Sequence, residues 1–301
     1  MAKFVLGFVT IVAIVGFLVL YISRNTEKKD TTHTLQVAAS FYPHYFFASQ
    51  IGGDKATVYN ITPAGTEPHD YEPSTKDIAR VENSKMLVLN GRVEPWANNI
   101  KDNLQNKDIL FVTAGEGLMT IKADPHIWLS PVLAKKEVEK ITKGFIQVDP
   151  PNKDYYIDNE TVLEKRLDEL DNKYKQGLQN CKTHTIVTSH AAFGYLANAY
   201  GLEQKAISGI SPDEEPSSKT LAGIANYVKD NNIRYIFFES LVSPKLAQTL
   251  AGETGTQTLV LDPIEGLSDD TIKQGKNYFT LMESNLKNLQ KALGCTTKNT
   301  P

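Results

Sequence analysis

Short apolar runs alternate with stretches of helical period throughout the body of the chain. In the first half, strand-like runs cover residues 35–41, 56–61, 86–90 and 109–112, and helical patterns lie between and after them. Strands that alternate with helices indicate a parallel sheet covered on both faces. We therefore predict an α/β lobe in this half of the chain.

The second half repeats the pattern, with strand-like runs at 185–189, 235–238 and 258–261 and a closing helical stretch over 269–293. The fold class that follows is α/β, with two βα lobes and mostly parallel sheets. A chain of 301 residues also suits two domains of ordinary size.

A long helix is predicted between the two halves. Pro150-Pro151 ends the preceding helical pattern. From Tyr155 to Leu178 the apolar residues recur at steps of mostly three and four, which is the helical period. A helix over about 159–179 would be roughly 30 Å long, enough to run from one lobe to the other. We predict an N-terminal lobe over 35–150, a linker helix within 151–180 and a C-terminal lobe over 181–296.

The first residues have a different composition. Residues 4–22 are uncharged and apolar, a length that spans the hydrocarbon core of a bilayer. The run ends without a small-x-small cleavage site, and no cysteine follows it that could carry a lipid. We expect residues 1–24 to be an uncleaved signal-anchor and 25–34 a polar tether, with a cleaved signal as the alternative. The body would then be extracytoplasmic and membrane-anchored.

Charge and cysteine content exclude several classes. The formal net charge is −3, without the basic excess of a nucleic-acid-binding protein. Cys181 and Cys295 are far apart and form no CxxC pair, so they cannot build a thiolate metal site. They are either a disulfide, in an oxidising compartment, or two buried thiols.

Three histidines occupy the same kind of position. His69 lies in a loop after a strand, His126 in a proline-bounded turn before a helix, and His190 at a strand-to-helix turn. Each one alone also fits an ordinary solvated or core histidine. Parallel sheets, however, bind ligands at the carboxyl ends of their strands, and the fold could bring the three together there.

Carboxylates follow other strand ends, among them Glu239, Asp262 and Glu265. Three imidazoles and one carboxylate form a four-coordinate set that suits Zn²⁺. Mn²⁺ and Fe²⁺ are the closest competitors, although both usually bind with more carboxylate oxygen.

Several segments resemble the metal-binding solute-binding proteins of bacterial ABC importers, the ZnuA/TroA-like group. They occur in the order of that family between about residues 35 and 295, and include Glu67-Pro68-His69-Asp70-Tyr71, Asp124-Pro125-His126-Ile127-Trp128, Ser189-His190-Ala191-Ala192-Phe193 and Pro263-Ile264-Glu265-Gly266-Leu267. The resemblance implies two lobes joined by one long rigid helix, with the metal in the cleft between them.

The resemblance also implies a ligand set and a function. His69, His126 and His190 correspond to three metal ligands, and histidine at the third position is typical of zinc-type members. Glu265 is expected as the fourth ligand, with Asp262 as its rival. The implied function is capture of Zn(II) and its delivery to an ABC transporter permease by a monomer without enzymatic activity.

Alternatives are a Mn(II)/Fe(II)-binding protein of the same importer class and a surface adhesin. A zinc hydrolase is disfavoured, because a closed ligand shell offers no open position and the chain contains no His-Glu-x-x-His helix. The chain departs from the family in two respects. Its segment 113–123 is short and lacks the histidine-rich loop of many zinc-type members, and it lacks the lipid-anchoring cysteine that Gram-positive relatives commonly carry.

Overall fold

The computed structural model describes residues 34–296 of the chain. The predicted membrane segment over 4–22, and the predicted tether apart from residue 34, lie outside the described residues. Among the residues that are described, no helix combines the length and the apolar character needed to cross a bilayer.

The N-terminal sheet contains four parallel strands in the order β2-β1-β3-β4. They are β1 (Leu35–Ala39), β2 (Ala56–Asn60), β3 (Met86–Leu89) and β4 (Leu110–Thr113). Successive side chains of a strand point to opposite faces. In β1, Val37 accordingly packs into the central core of the molecule, and Ala38 packs into a separate cluster on the outer face.

The C-terminal sheet repeats this topology, with parallel strands in the order β6-β5-β7-β8. They are β5 (Thr185–Thr188), β6 (Glu203–Ala206), β7 (Tyr235–Phe238) and β8 (Gln257–Val260). The predicted pair of parallel βα lobes is confirmed. Strand β6 was not predicted, because its sequence Glu-Gln-Lys-Ala contains no apolar run.

Ten α-helices cover the sheets within the described residues. They are α1 (Tyr42–Gly52), α2 (Thr75–Glu82), α3 (Ala97–Asn103), α4 (Pro131–Val148), α5 (Lys153–Leu178), α6 (Gly194–Tyr200), α7 (Ser218–Asp230), α8 (Lys245–Thr254), α9 (Asp269–Lys273) and α10 (Tyr278–Leu293). Helix α5 is the predicted linker, and it begins earlier than the apolar period alone indicated.

The single closing helix predicted over 269–293 is wrong, since the structure has two helices there. Gly275, with a φ of +68°, interrupts the chain after α9. Asn277 then begins α10, and its side-chain Oδ1 accepts hydrogen bonds from the backbone N–H groups of Phe279 and Thr280. A left-handed glycine followed by an N-cap asparagine ends one helix and starts another.

One hydrophobic core extends through both lobes and along the linker helix. Helix α5 contributes Tyr156 near its start and Tyr174 near its end, both fully buried in this core. The Tyr174 hydroxyl donates a hydrogen bond to the Met282 carbonyl oxygen of α10 at 2.7 Å. The linker therefore packs against both lobes along its length.

A disulfide joins Cys181, which follows α5, to Cys295, which follows α10. Of the two states left open by the sequence, the structure contains the disulfide. It links the end of the linker helix to the end of the chain's last helix, and it lies at the amino edge of the C-terminal sheet, before β5 begins.

Candidate metal centre

The structure brings together the three predicted histidines and Glu265. His69 follows β2, His126 follows β4, His190 follows β5, and Glu265 follows β8. All four lie at carboxyl ends of parallel strands, two from each sheet, and they meet in the cleft between the lobes.

The spacing of their polar atoms fits a single metal ion. Glu265 Oε1 lies 3.1 Å from His69 Nε2, 2.9 Å from His126 Nε2 and 3.7 Å from His190 Nε2. His126 Nε2 lies 3.4 Å from the Nε2 atoms of both His69 and His190. Tetrahedral zinc, with bonds of about 2.0–2.1 Å, places its ligand atoms about 3.3 Å apart. Five of the six atom pairs are therefore close to the spacing of a tetrahedral N₃O shell.

Burial leaves the site accessible from one side only. His126, His190 and Glu265 are fully buried or nearly so. His69 retains 9% of its side-chain exposure, the largest fraction among the four. An ion in this position would be removed from water, with its path to solvent on the His69 side.

Two further carboxylates orient the imidazoles. Asp124 Oδ1 lies 2.8 Å from His126 Nδ1 and also accepts the His126 backbone N–H at 2.9 Å. Glu239 Oε1 lies 2.6 Å from His190 Nδ1. A carboxylate at Nδ1 fixes the tautomer and turns the lone pair of Nε2 toward the site. The orienting roles of Asp124 and Glu239 were not predicted, although Asp124 stands only two positions before His126.

The loop that carries Glu265 contains an unusual backbone conformation. Ile264 has a φ of +59°, the left-handed region that a β-branched residue rarely adopts. Asp262 stabilises this turn, because its Oδ1 accepts the Ile264 N–H at 2.7 Å and its Oδ2 accepts the Ser240 hydroxyl. Both oxygens of Asp262 are thus bonded within the C-terminal lobe, whereas Glu265 points at the histidines.

The same loop is bonded to the N-terminal lobe on both sides of Glu265. The Trp128 indole Nε1–H donates to the Pro263 carbonyl oxygen at 2.8 Å, and the Gly65 N–H donates to the Leu267 carbonyl oxygen at 2.9 Å. The Tyr278 hydroxyl in turn donates to the Trp128 carbonyl oxygen at 2.6 Å. These bonds fix the position of Glu265 relative to His69 and His126.

The electrostatics of the site are strongly coupled. Burial alone would raise the pKa of Glu265, but hydrogen bonds from the three imidazoles lower it well below its usual value. Burial alone would lower the pKa of His190, but hydrogen bonds to Glu239 and Glu265 raise it to about 10. Negative carboxylates therefore stabilise a positive charge in this cleft, whether it is a proton or a metal ion.

Glu67 is a third acidic neighbour of the site. Its Oε1 accepts the His69 N–H at 3.3 Å, and its Oε2 is buried with no hydrogen-bond partner among the described residues. Burial, together with the charge of Glu265, raises the pKa of Glu67 to about 9.

Two parallel βα lobes, a long helix that links them and a polar site in the cleft between them define a two-lobed solute-binding protein. Residues 37–292 match the model of the family described as ZnuA, zinc-uptake complex component A, periplasmic, and the chain belongs to this family.

Relatives within the family are similar over most of the chain. The high-affinity zinc uptake system protein ZnuA of Bacillus subtilis is 37% identical, over 92% of this chain and 94% of that protein. The zinc-binding lipoprotein AdcA of Streptococcus pneumoniae strain R6 is 39% identical over 90% of this chain, but the match covers only 58% of AdcA. The crystal structure of the Zn(II)-bound ZnuA-like domain of Streptococcus pneumoniae AdcA superposes with a TM-score of 0.78, at 42% identity, over 86% of this chain and 99% of that domain.

Proposed function

We propose that this protein captures Zn²⁺ outside the cytoplasm and delivers it to the permease of an ABC importer. The observation that carries the proposal is the convergence of three imidazole nitrogens on one carboxylate oxygen, with each Nε2 within 3.7 Å of Glu265 Oε1. Such an N₃O donor set suits Zn²⁺. The zinc-uptake family and the zinc-binding names of the relatives support it.

The proposed ligands are His69, His126, His190 and Glu265. A set with three nitrogen donors and one oxygen donor favours Zn²⁺ over Mn²⁺ or Fe²⁺, which usually take more carboxylate oxygen. Asp262, the rival for the fourth position, is assigned to the support of the turn at Ile264, because both its carboxylate oxygens are bonded there.

Binding without turnover is part of the proposal. A catalytic zinc keeps one coordination position open for water or substrate. In the proposed shell, protein side chains supply all four positions. The chain would act as a monomer, and residues 4–22 would anchor it to the outer face of the membrane.

The direct test is zinc affinity in a competition titration against a chromophoric chelator. His190→Ala removes one proposed ligand and should lower the affinity on the order of a hundredfold or more. His184→Ala is the matched control, because His184 is exposed and lies at the start of β5, away from its carboxyl end. Equal affinity of the two variants would remove His190 from the site.

The choice of metal is tested with the same titration. Zn²⁺ should outcompete Mn²⁺ and Fe²⁺ on the wild-type protein. Tighter binding of Mn²⁺ would instead assign the chain to the manganese branch of this importer class. Metal analysis of the purified protein provides an independent check.

A further inference from the structure

A cavity of about 310 Å³ lies at the opposite edge of the C-terminal sheet from the metal centre. Residues at the amino ends of β5 and β7 line it, together with the end of α10 and the turn after α7. Three lining side chains are cationic, namely Lys182, Arg234 and Lys291, and no aspartate or glutamate is among the described residues that line it.

A second cavity, of about 690 Å³, adjoins the first and shares Asn232, Ile233, Arg234 and Tyr235 with it. It adds a fourth cation, Lys229, and again no acidic residue within the described part of the chain. Arg234 therefore lines both cavities, with Lys182 and Lys291 in one and Lys229 in the other.

These four cations form no ion pair with any described residue. Lys291 Nζ instead lies 5.4 Å from the centroid of the Tyr235 ring, a cation–π contact that leaves its charge unneutralised. The stem of Lys182 packs against Gly294, where an added Cβ would come within 3.2 Å of Lys182 Cδ. Two of the cations are thus positioned by packing rather than by carboxylates.

The negative charge at helix C-termini offsets only part of this positive charge. The C-termini of α7 and α10 both point toward the cavities, and each helix end carries about half a negative charge. Together they offset about one of four full positive charges. Glu203 accepts a hydrogen bond from the lining residue Thr185, but it is also paired with Lys205 at 2.7 Å. The cluster is therefore cationic on a chain whose formal net charge is −3.

We infer that the two cavities form one binding site for a phosphate-bearing anion, with Arg234 at its centre. The guanidinium group presents paired donors that match phosphate oxygens, and ammonium groups add compact positive charge. Asn232 and Thr183 also line the first cavity and supply neutral donors. Two adjoining cavities would accommodate an anion with two phosphate groups, or one phosphodiester with its substituents.

Isothermal titration of the full chain with inorganic pyrophosphate, without zinc, tests the site. Saturable binding is expected, and Arg234→Gln should weaken it roughly tenfold or more, as the loss of a charge-assisted hydrogen bond predicts. Lys291→Gln should weaken it in the same direction. Lys76→Gln, an exposed lysine on α2 of the other lobe, removes the same charge and should leave it unchanged.

Competition then distinguishes a free phosphate compound from a lipid headgroup. Displacement of pyrophosphate by a water-soluble, short-chain phosphatidylglycerol, but not by the matching phosphatidylcholine, would assign an anionic headgroup. Saturable pyrophosphate binding without such displacement would assign a free phosphate compound, and both results support the site. Absence of saturable binding, or an equal loss in Arg234→Gln and Lys76→Gln, would overturn it. Zinc affinity of Arg234→Gln should match the wild type in every case.

Discussion

Glu265 and Asp262 belong to the same short loop, yet their carboxylates have different surroundings. Glu265 Oε1 lies within 3.7 Å of three imidazole nitrogens, whose hydrogen bonds hold its pKa well below the usual value. Burial raises the pKa of Asp262 to about 6, although hydrogen bonds from Ser240 and Ile264 oppose this shift. The Glu265 carboxylate faces the metal centre, and the Asp262 carboxylate supports the turn that positions Glu265.

This difference predicts unequal effects on zinc affinity. Glu265→Gln keeps the shape of the side chain but replaces the charged ligand, so the affinity should fall on the order of a hundredfold. Asp262→Asn retains most of the turn and should cost about tenfold or less. Competition titration at one fixed pH measures both.

Glu72→Gln is the matched control, because Glu72 is an exposed carboxylate close to His69 in sequence. It should leave the affinity unchanged. If Asp262→Asn had the larger effect, the fourth ligand would be Asp262, and the loop would have to rearrange when zinc binds.

At the level of elements, apolar periodicity predicted most of the strands and helices, but not α8, which packs Ala247, Leu250 and Ala251 into a separate cluster of the C-terminal lobe. It failed for β6, an edge strand whose pairing with β5 depends on backbone hydrogen bonds rather than on apolar side chains. It also failed at the break between α9 and α10, where the helical period continues but Gly275 adopts a positive φ. In both places, backbone hydrogen bonding or a glycine conformation decides the structure, and apolar periodicity does not report on either.

The metal centre was predictable to the extent that it depends on strand ends. His69, His126, His190 and Glu265 each follow a strand. The resemblance to a known family then assigned these four residues as the metal ligands. The contact between His190 and Glu239 joins two loops 49 positions apart in sequence, and only the sheet order brings them together. The predicted bounds of the two lobes remain a prediction.

The disulfide is the element-level feature with the clearest consequence for stability. It closes a loop between residues 114 positions apart and thereby restricts the unfolded chain. Replacing both Cys181 and Cys295 by serine should lower the free energy of unfolding by about 2–5 kcal/mol in denaturant titrations.

Zinc affinity should not change in this double variant, because the disulfide lies at the amino edge of the sheet and the metal centre at the carboxyl edge. Wild-type protein in reductant serves as the control and should lose a similar amount of stability. An unchanged free energy of unfolding in the serine variant would mean that the bridge does not restrict the unfolded state.

At the scale of the whole molecule, each lobe supplies two of the four proposed ligands. Zinc would therefore bind only the folded arrangement of both lobes and stabilise it by mass action. Protons compete for the same site, because the carboxylates that favour a metal ion also favour imidazolium. The pKa of about 10 for His190 means that this proton must leave when zinc binds near neutral pH.

The pKa values of His190 and Glu265 shift in opposite directions on folding. The pKa of His190 is raised from 6.5 to about 10 on folding, so its proton stabilises the zinc-free protein fully below pH 6.5, and this contribution is lost as the pH rises through 10. The pKa of Glu265 is lowered, so Glu265 stays ionised between pH 6 and 8. Within that window, each step toward alkaline pH weakens the competing proton and strengthens zinc binding.

We therefore expect the rise in melting temperature caused by a fixed free Zn²⁺ concentration to be larger at pH 8 than at pH 6. For each displaced proton, the apparent zinc affinity should increase by up to about tenfold per pH unit. Differential scanning fluorimetry in zinc-buffered solutions measures this rise, and His190→Ala should flatten its dependence on pH. A zinc-induced rise that is equal at the two pH values, or larger at pH 6, would contradict a site whose ligands must lose protons before they bind the metal.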